Sequence, residues 1–455
     1  MKKKLIIIGL GPHAQSFQYK FLENLYSSGI SLQVLLLAEL SERENNLREY
    51  LSNTELQPEE VVLLPQEDRN DQHIHPALLE HLERIKHLAD GMLICTEPKA
   101  HKKYILWALQ NNIDVLTDKP LTAPLINEVG PKQVWNDFVE IKQALSNSKA
   151  KLCLMTNKRL HRGYQAVYEY AYPLCKKYGV PITHIGILEG GGVWPFPCEF
   201  EKRENHPYKY GYGVLLHTGF HYVDLLSHYQ SINHSIGYKE DDIKIQACGT
   251  TPYDVVHQLS QKIYEKIFAW EDFSQEFQDL PLEKYKRYGI VDLIAALQFL
   301  QKGAVITQGS LNLLQNTLSS RSERPMPRNP YLNMGMLTQN SISLSGGPFF
   351  YIHLSYFQPA CSPMEWENKY VLEIYKNTKL ISGTPMERIE FDNVIEDGYG
   401  GWVSLNGESK IEILKQWIKG DCPSTHFSLH EHSVYLTSQI FEKIFEYKEK
   451  RWGKM

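Results

Sequence analysis

The sequence predicts an α/β plus α+β fold, with an N-terminal Rossmann doubly wound parallel sheet followed by a domain with a large, mostly antiparallel open sheet. Short apolar runs alternate with amphipathic helical patterns over roughly the first 155 residues, which is the rhythm of βαβ units. A glycine-rich turn follows the first of these runs. Beyond residue 155, strand-like runs follow one another with turn signals and few helices between them, which is typical of an antiparallel sheet.

The first apolar run, KKLIIIG, is too short for a helix and rich in isoleucine, which is typical of a strand buried on both faces. A helix through about residue 27 follows the glycine-rich turn. The other strands predicted in this part are 32–40, 61–65, 91–96, 113–120 and 151–157. The helices predicted between them are 76–88, 99–112 and about 133–147.

The second part begins with a predicted helix near 161–178 and a strand in PITHIGILEGGGV. Further strands are predicted in 292–314, 341–357 and 370–384, where Gly, Asn-Thr and Pro turn signals separate the apolar runs. We therefore place a domain boundary at residue 155, giving domains 1–155 and 156–455. The C-terminal run VYLTSQIFEKIFEYKEKRW predicts a helix that can pack back on the first domain.

Composition excludes several classes of protein. Hydrophobic residues make up 42% of the 455, enough for a sizeable core, and a formal charge of −5 argues against a general nucleic-acid binder. The N-terminal apolar run ends after four residues at Gly9, and no run approaches the roughly 18 residues of a membrane span. The seven cysteines include no C-x-x-C pair. We expect a cytoplasmic protein without a disulfide framework.

The turn after the first strand carries a G-x-G-x-x-A pattern formed by Gly9, Gly11 and Ala14. The first glycine permits the tight turn, the second lets the backbone approach a pyrophosphate, and the small third residue lets the helix pack on the strand. Pro12 suits the first helical position, and His13 follows it. These five residues are predicted to bind a dinucleotide at the helix N-terminus.

The choice between NAD and NADP depends on the end of the second strand. Glu39 can accept hydrogen bonds from the adenosine ribose, which favours NAD. Ser41 and Arg43 lie just beyond and can instead hold the 2′-phosphate of NADP. Glu39 can also be a solvated loop carboxylate. The expected cofactor is NAD or NADP, with NAD favoured by Glu39.

The stretch GYGVLLHTGFHYVD (211–224) places His217 and His221 four residues apart, with Asp224 three further on. On a helix the two histidines share one face, as in zinc-binding helices. Thr218 stands where the H-E-x-x-H motif has its glutamate, so that metalloprotease motif is absent. Three interpretations remain open here: metal ligation, packing, and proton transfer by a side chain that ordinarily titrates near pH 6.5. We expect no metal.

Further motifs carry a resemblance to a known family. They are Thr96-x-Pro98-x-x-His101, Asp118-Lys119-Pro120, Asn157-x-Arg159, Gly211-x-Gly213-x-Leu215-x-x-x-Gly219-x-His221-x-x-Asp224 and Asp292…Leu297-x-Phe299-x-x-Gly303-Ala304. This succession resembles the Gfo/Idh/MocA family of NAD(P)-dependent oxidoreductases. In that family a Thr-Pro…His segment precedes a Glu-Lys-Pro motif, whose acid is an aspartate in this chain.

The resemblance implies hydride transfer between a nicotinamide cofactor and a hydroxylated small molecule such as a sugar, an inositol or a sugar derivative. It implies that 1–155 bind the dinucleotide and that 156–455 bind substrate and form a homodimer or homotetramer through the antiparallel sheet. The implied catalytic residues are Lys119 and His221, with His217 beside them. The cofactor-binding set gains Thr96, Pro98, His101, Asp118 and Lys119. The implied substrate-binding residues are Lys119, Arg159, His217, His221 and Asp224.

One position departs from the family pattern, because His217 stands where the motif commonly has an aspartate. The usual coupling between an aspartate and the catalytic histidine is therefore absent. Two alternatives remain open: an imine or ketone reductase of a biosynthetic pathway, and a non-catalytic dinucleotide-binding sensor. Arg321, Arg324 and Arg328 form a basic cluster that is either a phosphate or carboxylate site or a loop.

Overall fold

A computed structural model of the chain describes residues 2–204, 206–268, 274–318, 337–358, 367–399 and 401–453. The chain forms two compact units. The first comprises Met1–Pro124, Gln133–His161 and Ile395–Val434, and the second comprises Leu125–Lys132, Arg162–Val394 and Tyr435–Met455. The assignment of 1–155 and 156–455 as separate functional domains stays a prediction.

The strands, numbered along the chain, supply two large sheets. They are β1 (Lys3–Ile8), β2 (Leu32–Leu40), β3 (Val61–Leu64), β4 (Gly91–Ile94), β5 (Asp114–Thr117), β6 (Leu152–Leu154), β7 (His184–Glu189), β8 (Val193–Trp194), β9 (Asp242–Thr250), β10 (Asp292–Gln301), β11 (Ala304–Leu313), β12 (Thr317–Leu318), β13 (Thr338–Ser345), β14 (Phe350–Gln358), β15 (Lys369–Lys376), β16 (Met386–Asp392), β17 (Val394–Glu396) and β18 (Trp402–Ser404).

The helices are numbered in the same way. They are α1 (Pro12–Ala14), α2 (Lys20–Ser27), α3 (Glu44–Ser52), α4 (Pro76–Ile85), α5 (His101–Gln110), α6 (Ile126–Val129), α7 (Gln133–Ser146), α8 (Arg162–Tyr178), α9 (Glu199–Lys202), α10 (Phe220–Ser235), α11 (Pro252–Gln258), α12 (Gln261–Phe268), α13 (Ser274–Phe277), α14 (Leu282–Tyr285), α15 (Leu405–Ile418) and α16 (Glu431–Trp452). Two π-helical segments, Gln15–Tyr19 and Leu215–Gly219, lead into α2 and α10.

The first unit contains a six-stranded sheet in the order β3-β2-β1-β4-β5-β6, and all of its strands are parallel. This is the doubly wound order of dinucleotide-binding folds, so the predicted Rossmann sheet is confirmed. Central β1 is buried on both faces, with Leu5 through Ile8 no more than 1% exposed. Helices on both sides of a parallel sheet leave its central strand without a solvated face.

A late segment of the chain also belongs to the first unit. Helix α15 packs against the 3₁₀ turn Asn157–Leu160, where the Asn157 amide donates to Asn406 Oδ1 at 2.7 Å and to Ser409 Oγ at 3.1 Å. Trp417 of α15 is buried in the core against the β1 and β4 region. This helix was absent from the sequence predictions.

The second unit contains an eight-stranded sheet in the order β16-β15-β14-β13-β7-β11-β10-β9. Only the β7–β11 pair is parallel among the pairings within the described residues of this sheet. The predicted mostly antiparallel sheet is therefore confirmed. Helices α8 and α10 pack on this sheet, and α10 is buried nearly all around. Strands β9 and β16 were not predicted, since they are edge strands with little buried apolar surface.

The strands alternate buried and exposed positions, so the second sheet has one face away from α8 and α10. That face carries large apolar side chains, among them Ile294 at 55% and Phe357 at 54% exposure.

No helix among the described residues is both long and apolar enough to cross a bilayer.

Candidate active site

The dinucleotide turn lies at the carboxyl end of β1, in the first unit. Gly9 has a φ of +84°, and a Cβ built on it would lie 3.0 Å from the Cys95 carbonyl oxygen and from the Thr96 methyl group. Pro12 occupies the first helical position and Ala14 is buried. From there the chain runs through a continuous helical stretch to residue 27. The turn therefore has the glycine geometry and helix start that the sequence predicted.

Glu39 is anchored to this turn. Its carboxylate accepts the Leu10 N–H at 2.7 Å and the Leu40 N–H at 2.8 Å, one with each oxygen, and the residue is only 7% exposed. Each carboxylate oxygen has a second lone-pair site, so these bonds leave acceptor capacity for a ribose hydroxyl. The backbone donors hold Glu39 at the turn, which the alternative of a solvated loop carboxylate does not explain.

Arg43 approaches the same turn from the 3₁₀ segment after β2. Its terminal nitrogen lies 3.1 Å from where a Cβ on Gly11 would be. The guanidinium is thus adjacent to the glycine that the sequence assigned to pyrophosphate approach. Ser41, the other residue considered for a 2′-phosphate, is exposed.

The loops after β4 and β5 are tied together by one buried imidazole. His101 Nε2 lies 3.1 Å from the Thr96 carbonyl oxygen, and Nδ1 lies 3.2 Å from the carbonyl oxygens of Pro120 and Leu121. Burial lowers the pKa of His101. These contacts hold the loop that carries Lys119, and binding of the cofactor by His101 stays a prediction.

The Asp-Lys-Pro motif follows directly from this loop. Asp118 Oδ1 accepts the backbone N–H of Lys119 at 2.8 Å, and the Lys119–Pro120 peptide bond is cis. Asp118 and Lys119 are both half-buried, as are Thr96 and Pro98 of the neighbouring loop. All four lie at the carboxyl ends of parallel strands, where open α/β sheets bind their ligands.

The predicted histidine segment lies in the second unit and begins with two glycines in left-handed conformations. A Cβ on Gly211 (φ +89°) would lie 2.6 Å from Asn127 Oδ1, and one on Gly213 (φ +56°) would lie 2.3 Å from the Ile290 carbonyl oxygen. Val214 N–H donates to that carbonyl at 2.8 Å. The Ile290 backbone leaves no room for a Cβ at Gly213, and the positive φ favours glycine at both positions, which together fix the start of the helix that follows.

His217 lies in the π-helical segment and His221 in the first turn of α10, both nearly buried, and Asp224 is fully buried. The His217 ring makes edge contacts with His206 and Tyr208, at centroid distances of 4.9 and 5.0 Å. Sequence reasoning missed His206 and Tyr208, because a histidine and a tyrosine in a loop carry no periodic signal. The described residues include no group of three His, Cys, Asp or Glu side chains arranged to hold a metal.

Two other predicted groups have different outcomes. Arg159, in the first unit, is buried and donates to the Leu429 carbonyl oxygen at 3.0 Å. The predicted contact of Arg159 with substrate therefore has to be made by a guanidinium that already donates this internal hydrogen bond. The cluster of Arg321, Arg324 and Arg328 lies outside the described residues.

Comparison with known proteins supports the fold. No family model and no characterised protein sequence matches the chain. Solved structures do match it over nearly its full length. An oxidoreductase from Agrobacterium radiobacter, solved with NAD+, L-tartaric acid and magnesium, is 13% identical with a TM-score of 0.55, covering 99% of this chain and 97% of the other.

Two further matches have similar statistics. The WlbA dehydrogenase from Bordetella pertussis, solved with NADH and UDP-GlcNAcA, is 13% identical with a TM-score of 0.53, covering 97% of this chain and 96% of its own. A 3-ketoreductase from Actinomadura kijaniata, solved with NADP and TDP-benzene, is 13% identical with a TM-score of 0.53, covering 98% of each chain. At such low sequence identity, the structural similarity shows a shared fold and nothing more specific.

Proposed function

We propose that the chain is an NAD(P)-dependent oxidoreductase that transfers a hydride between the nicotinamide and a hydroxylated small molecule, such as a sugar, an inositol or a sugar derivative. The observation that carries the proposal is the turn from Gly9 to Ala14, at the end of the central strand of a 3-2-1-4-5-6 parallel sheet with Glu39 bonded to it. The solved structures of similar fold that contain NAD+, NADH or NADP agree with it.

The residues of the turn fit a dinucleotide. Gly9 and Gly11 bring backbone close to the helix start, whose dipole favours phosphate. Glu39 has acceptor capacity for the adenosine ribose, and its buried charge beside the turn disfavours a 2′-phosphate. Arg43, beside Gly11, is the cation that would favour a 2′-phosphate instead. NAD is therefore the favoured cofactor, with NADP as the alternative.

When bound, the nicotinamide supplies or accepts the hydride. The side chains have to hold the substrate oxygen and move its proton. We assign the general base of alcohol oxidation to the His221 imidazole, which returns the proton in the reverse direction. We assign to Lys119 a hydrogen bond that stabilises the negative charge developing on the substrate.

His217 changes the electrostatics of this assignment. An aspartate at its position would supply a fixed negative charge next to the base, and a neutral imidazole does not. Edge contacts with His206 and Tyr208 hold the His217 ring in place. We propose that His217 contacts substrate, and that Asp224, buried one turn beyond His221, supports the helix that carries the base.

The test combines direct binding with turnover. Purified protein should bind NAD(H) or NADP(H) in calorimetry and should reduce the dinucleotide, followed at 340 nm, with a member of a polyol and sugar panel. Lys119→Ala and His221→Ala should each lower turnover by about 100-fold or more and should leave cofactor affinity largely intact. His234→Ala is the matched control, since His234 lies at the far end of α10 and pairs with Glu240.

The outcomes separate the alternatives. Absence of binding to either dinucleotide would refute the proposal. Binding without turnover of any alcohol, ketone or imine would indicate a sensor, and turnover only in the reductive direction with ketones or imines would indicate a reductase. Full activity of both site variants would show that the chemistry lies elsewhere.

We also propose that the second sheet mediates a homodimer or homotetramer. Its face away from α8 and α10 carries Ile294, Val305, Tyr351, Phe357 and Tyr375, each at least 38% exposed. Tyr351 and Tyr375 are cross-strand neighbours on this face, and exposed apolar surface on a sheet face is typical of protein–protein contact sites. Sedimentation analysis should give a dimer or tetramer mass, and a monomer at micromolar concentration would contradict the proposal.

A further inference from the structure

The dinucleotide turn has one backbone N–H donor fewer than it would have with any residue other than proline at position 12. At such a turn, backbone N–H groups at the helix start point towards the phosphates. The first helical position here is Pro12, which has no N–H. The carbonyl of Gly11 accepts from Gln15, so the helix begins normally despite this loss. The missing donor makes other positive groups near the turn important for holding an anion.

A lysine from a distant part of the chain lies beside the first turn of this helix. Lys410 of α15 has its Nζ 3.1 Å from His13 Nε2, although the two residues are 397 apart in sequence. The same Nζ lies 4.5 Å from the centroid of the Phe17 ring. Since the rings of His13 and Phe17 are themselves in contact, the ammonium is held at a defined place along the helix.

The contact with Lys410 also determines which nitrogen of the His13 ring carries the proton. A lysine ammonium can only donate, so His13 Nε2 is the acceptor and the imidazole carries its proton on Nδ1. His13 is the second residue of the helix that follows the turn. A cation beside the positive end of a helix is unfavourable by itself. A bound anion at that helix end would turn this repulsion into attraction.

We infer that Lys410 is a pyrophosphate-binding residue of the proposed dinucleotide site, an inference that rests on the proposed function. Arg43 lies at Gly11 and Lys410 at His13, so the turn has one cation at each of these positions. A pyrophosphate carries two negative charges and spans two phosphorus atoms. Lys410 supplies positive charge at His13, the residue directly after Pro12, where the backbone donor is missing.

The test measures ligand binding directly, by calorimetry on the full chain with NADH, NADPH, ADP-ribose and adenosine. We expect Lys410→Met to weaken NADH, NADPH and ADP-ribose by about tenfold each, the size of one hydrogen bond to a charged group. Adenosine, which has no pyrophosphate, should bind as it does to the wild type. Lys410→Arg should recover most of the lost affinity.

Lys415 provides the matched control on the same helix. Its ammonium lies over the Phe21 and Tyr399 rings, 5.7 and 5.6 Å from their centroids, one turn further along both helices. Lys415→Met therefore removes the same charge and a similar aromatic contact away from the turn, and should leave all four affinities unchanged. Lys410→Gln is a second variant that keeps a polar side chain, in case the methionine variant does not fold.

Each outcome decides one of the two claims. A wild type that binds no dinucleotide refutes the proposed function. A wild type that binds NADH, with Lys410→Met and Lys410→Gln matching Lys415→Met, overturns the role of Lys410 alone. A loss confined to NADPH would assign Lys410 to the 2′-phosphate, and an equal loss for adenosine would show a structural role. Either result overturns pyrophosphate binding.

Discussion

Gly9 is the residue on which the dinucleotide turn most depends. Its φ of +84° strains any side chain, and a Cβ would lie only 3.0 Å from the Cys95 carbonyl oxygen and from the Thr96 methyl group. We expect Gly9→Ala to lower the free energy of unfolding by about 2–4 kcal/mol, from left-handed strain plus overpacking. Dinucleotide binding should be lost at the same time.

Gly29 is the control for this prediction. It has a similar φ of +90° but nothing within 4 Å of its Cβ position. Gly29→Ala should therefore cost only the conformational part, about 1–2 kcal/mol, and should leave dinucleotide affinity unchanged. Urea denaturation measures both variants. Equal losses of stability would mean that the contacts with Cys95 and Thr96 are unimportant.

His101 gives a second prediction at the residue scale. Burial lowers its pKa, so below the ordinary histidine pKa the unfolded chain binds a proton that the folded chain does not. Stability from this residue is therefore present above about pH 6.5 and is lost as pH falls. His101→Gln should destabilise the protein by about 1–3 kcal/mol at pH 7, because glutamine does not reproduce the hydrogen bond that the neutral imidazole donates to a loop carbonyl.

The pH series checks the sign of this effect. The difference in unfolding free energy between wild type and His101→Gln should narrow from pH 7 to pH 5. Exposed His87 is the control, and His87→Gln should differ little from wild type across the series. A difference that widens on acidification would show that folded His101 takes up the proton.

At the scale of elements, periodicity decided what the sequence could predict. Strand β1 and helix α8 were predicted almost to the residue, because an isoleucine run and a helical apolar stripe each have one explanation. Edge strands β9 and β16 and helix α15 were missed. The edge strands bury little apolar surface and so give a weak alternation, and the burial of α15 depends on neighbours far away in sequence, which local patterns do not report.

The same limit applies to the candidate site. Glycine turns and family-like motifs indicated Gly9, Gly11, Lys119 and His221, because backbone geometry and motif spacing are local properties. Lys410 had no such signal. Its position beside His13 depends on where α15 packs, and lysine is ordinarily a surface residue.

Helix α16 contains a lysine that bonds to the residues just before Gly289, a glycine that lies against Gly213. Lys448 is fully buried and donates to the carbonyl oxygens of Tyr288 at 2.6 Å and Arg287 at 3.2 Å. Burial lowers its pKa to about 7. Between that value and its ordinary range near 10.5, the unfolded chain binds the proton and the folded chain does not, so stability rises with pH.

The corresponding variant is Lys448→Met. The stability of the wild type relative to this variant should increase by up to about 2 kcal/mol between pH 7 and pH 9, measured by chemical denaturation. Lys443→Met is the control on the same helix, since Lys443 is half-buried and paired with Glu446. A pH-independent difference would show that the buried lysine titrates at its ordinary pKa.

For the whole molecule, the stability of the first unit depends on the fact that three separate chain segments form it. The segment Ile395–Val434 belongs to that unit although more than 230 residues separate it from His161. Its Trp417 lies in the same apolar core as Leu5 and Leu93 and fills the space above Gly91, where a Cβ would lie 2.8 Å from the indole. The Rossmann sheet of this chain is therefore completed by a late part of the sequence.

Trp417→Ala tests that dependence. Removing an indole that is 2% exposed leaves a large cavity against β1 and β4, so the full-length variant should lose about 3–5 kcal/mol of unfolding free energy. Trp402, in the same late segment but 72% exposed, is the control, and Trp402→Ala should cost less than about 0.5 kcal/mol. Similar small losses for both would mean that the parallel sheet is stable without the late segment. A large loss for Trp417→Ala alone, with weakened dinucleotide binding, would show that the turn and α15 unfold together.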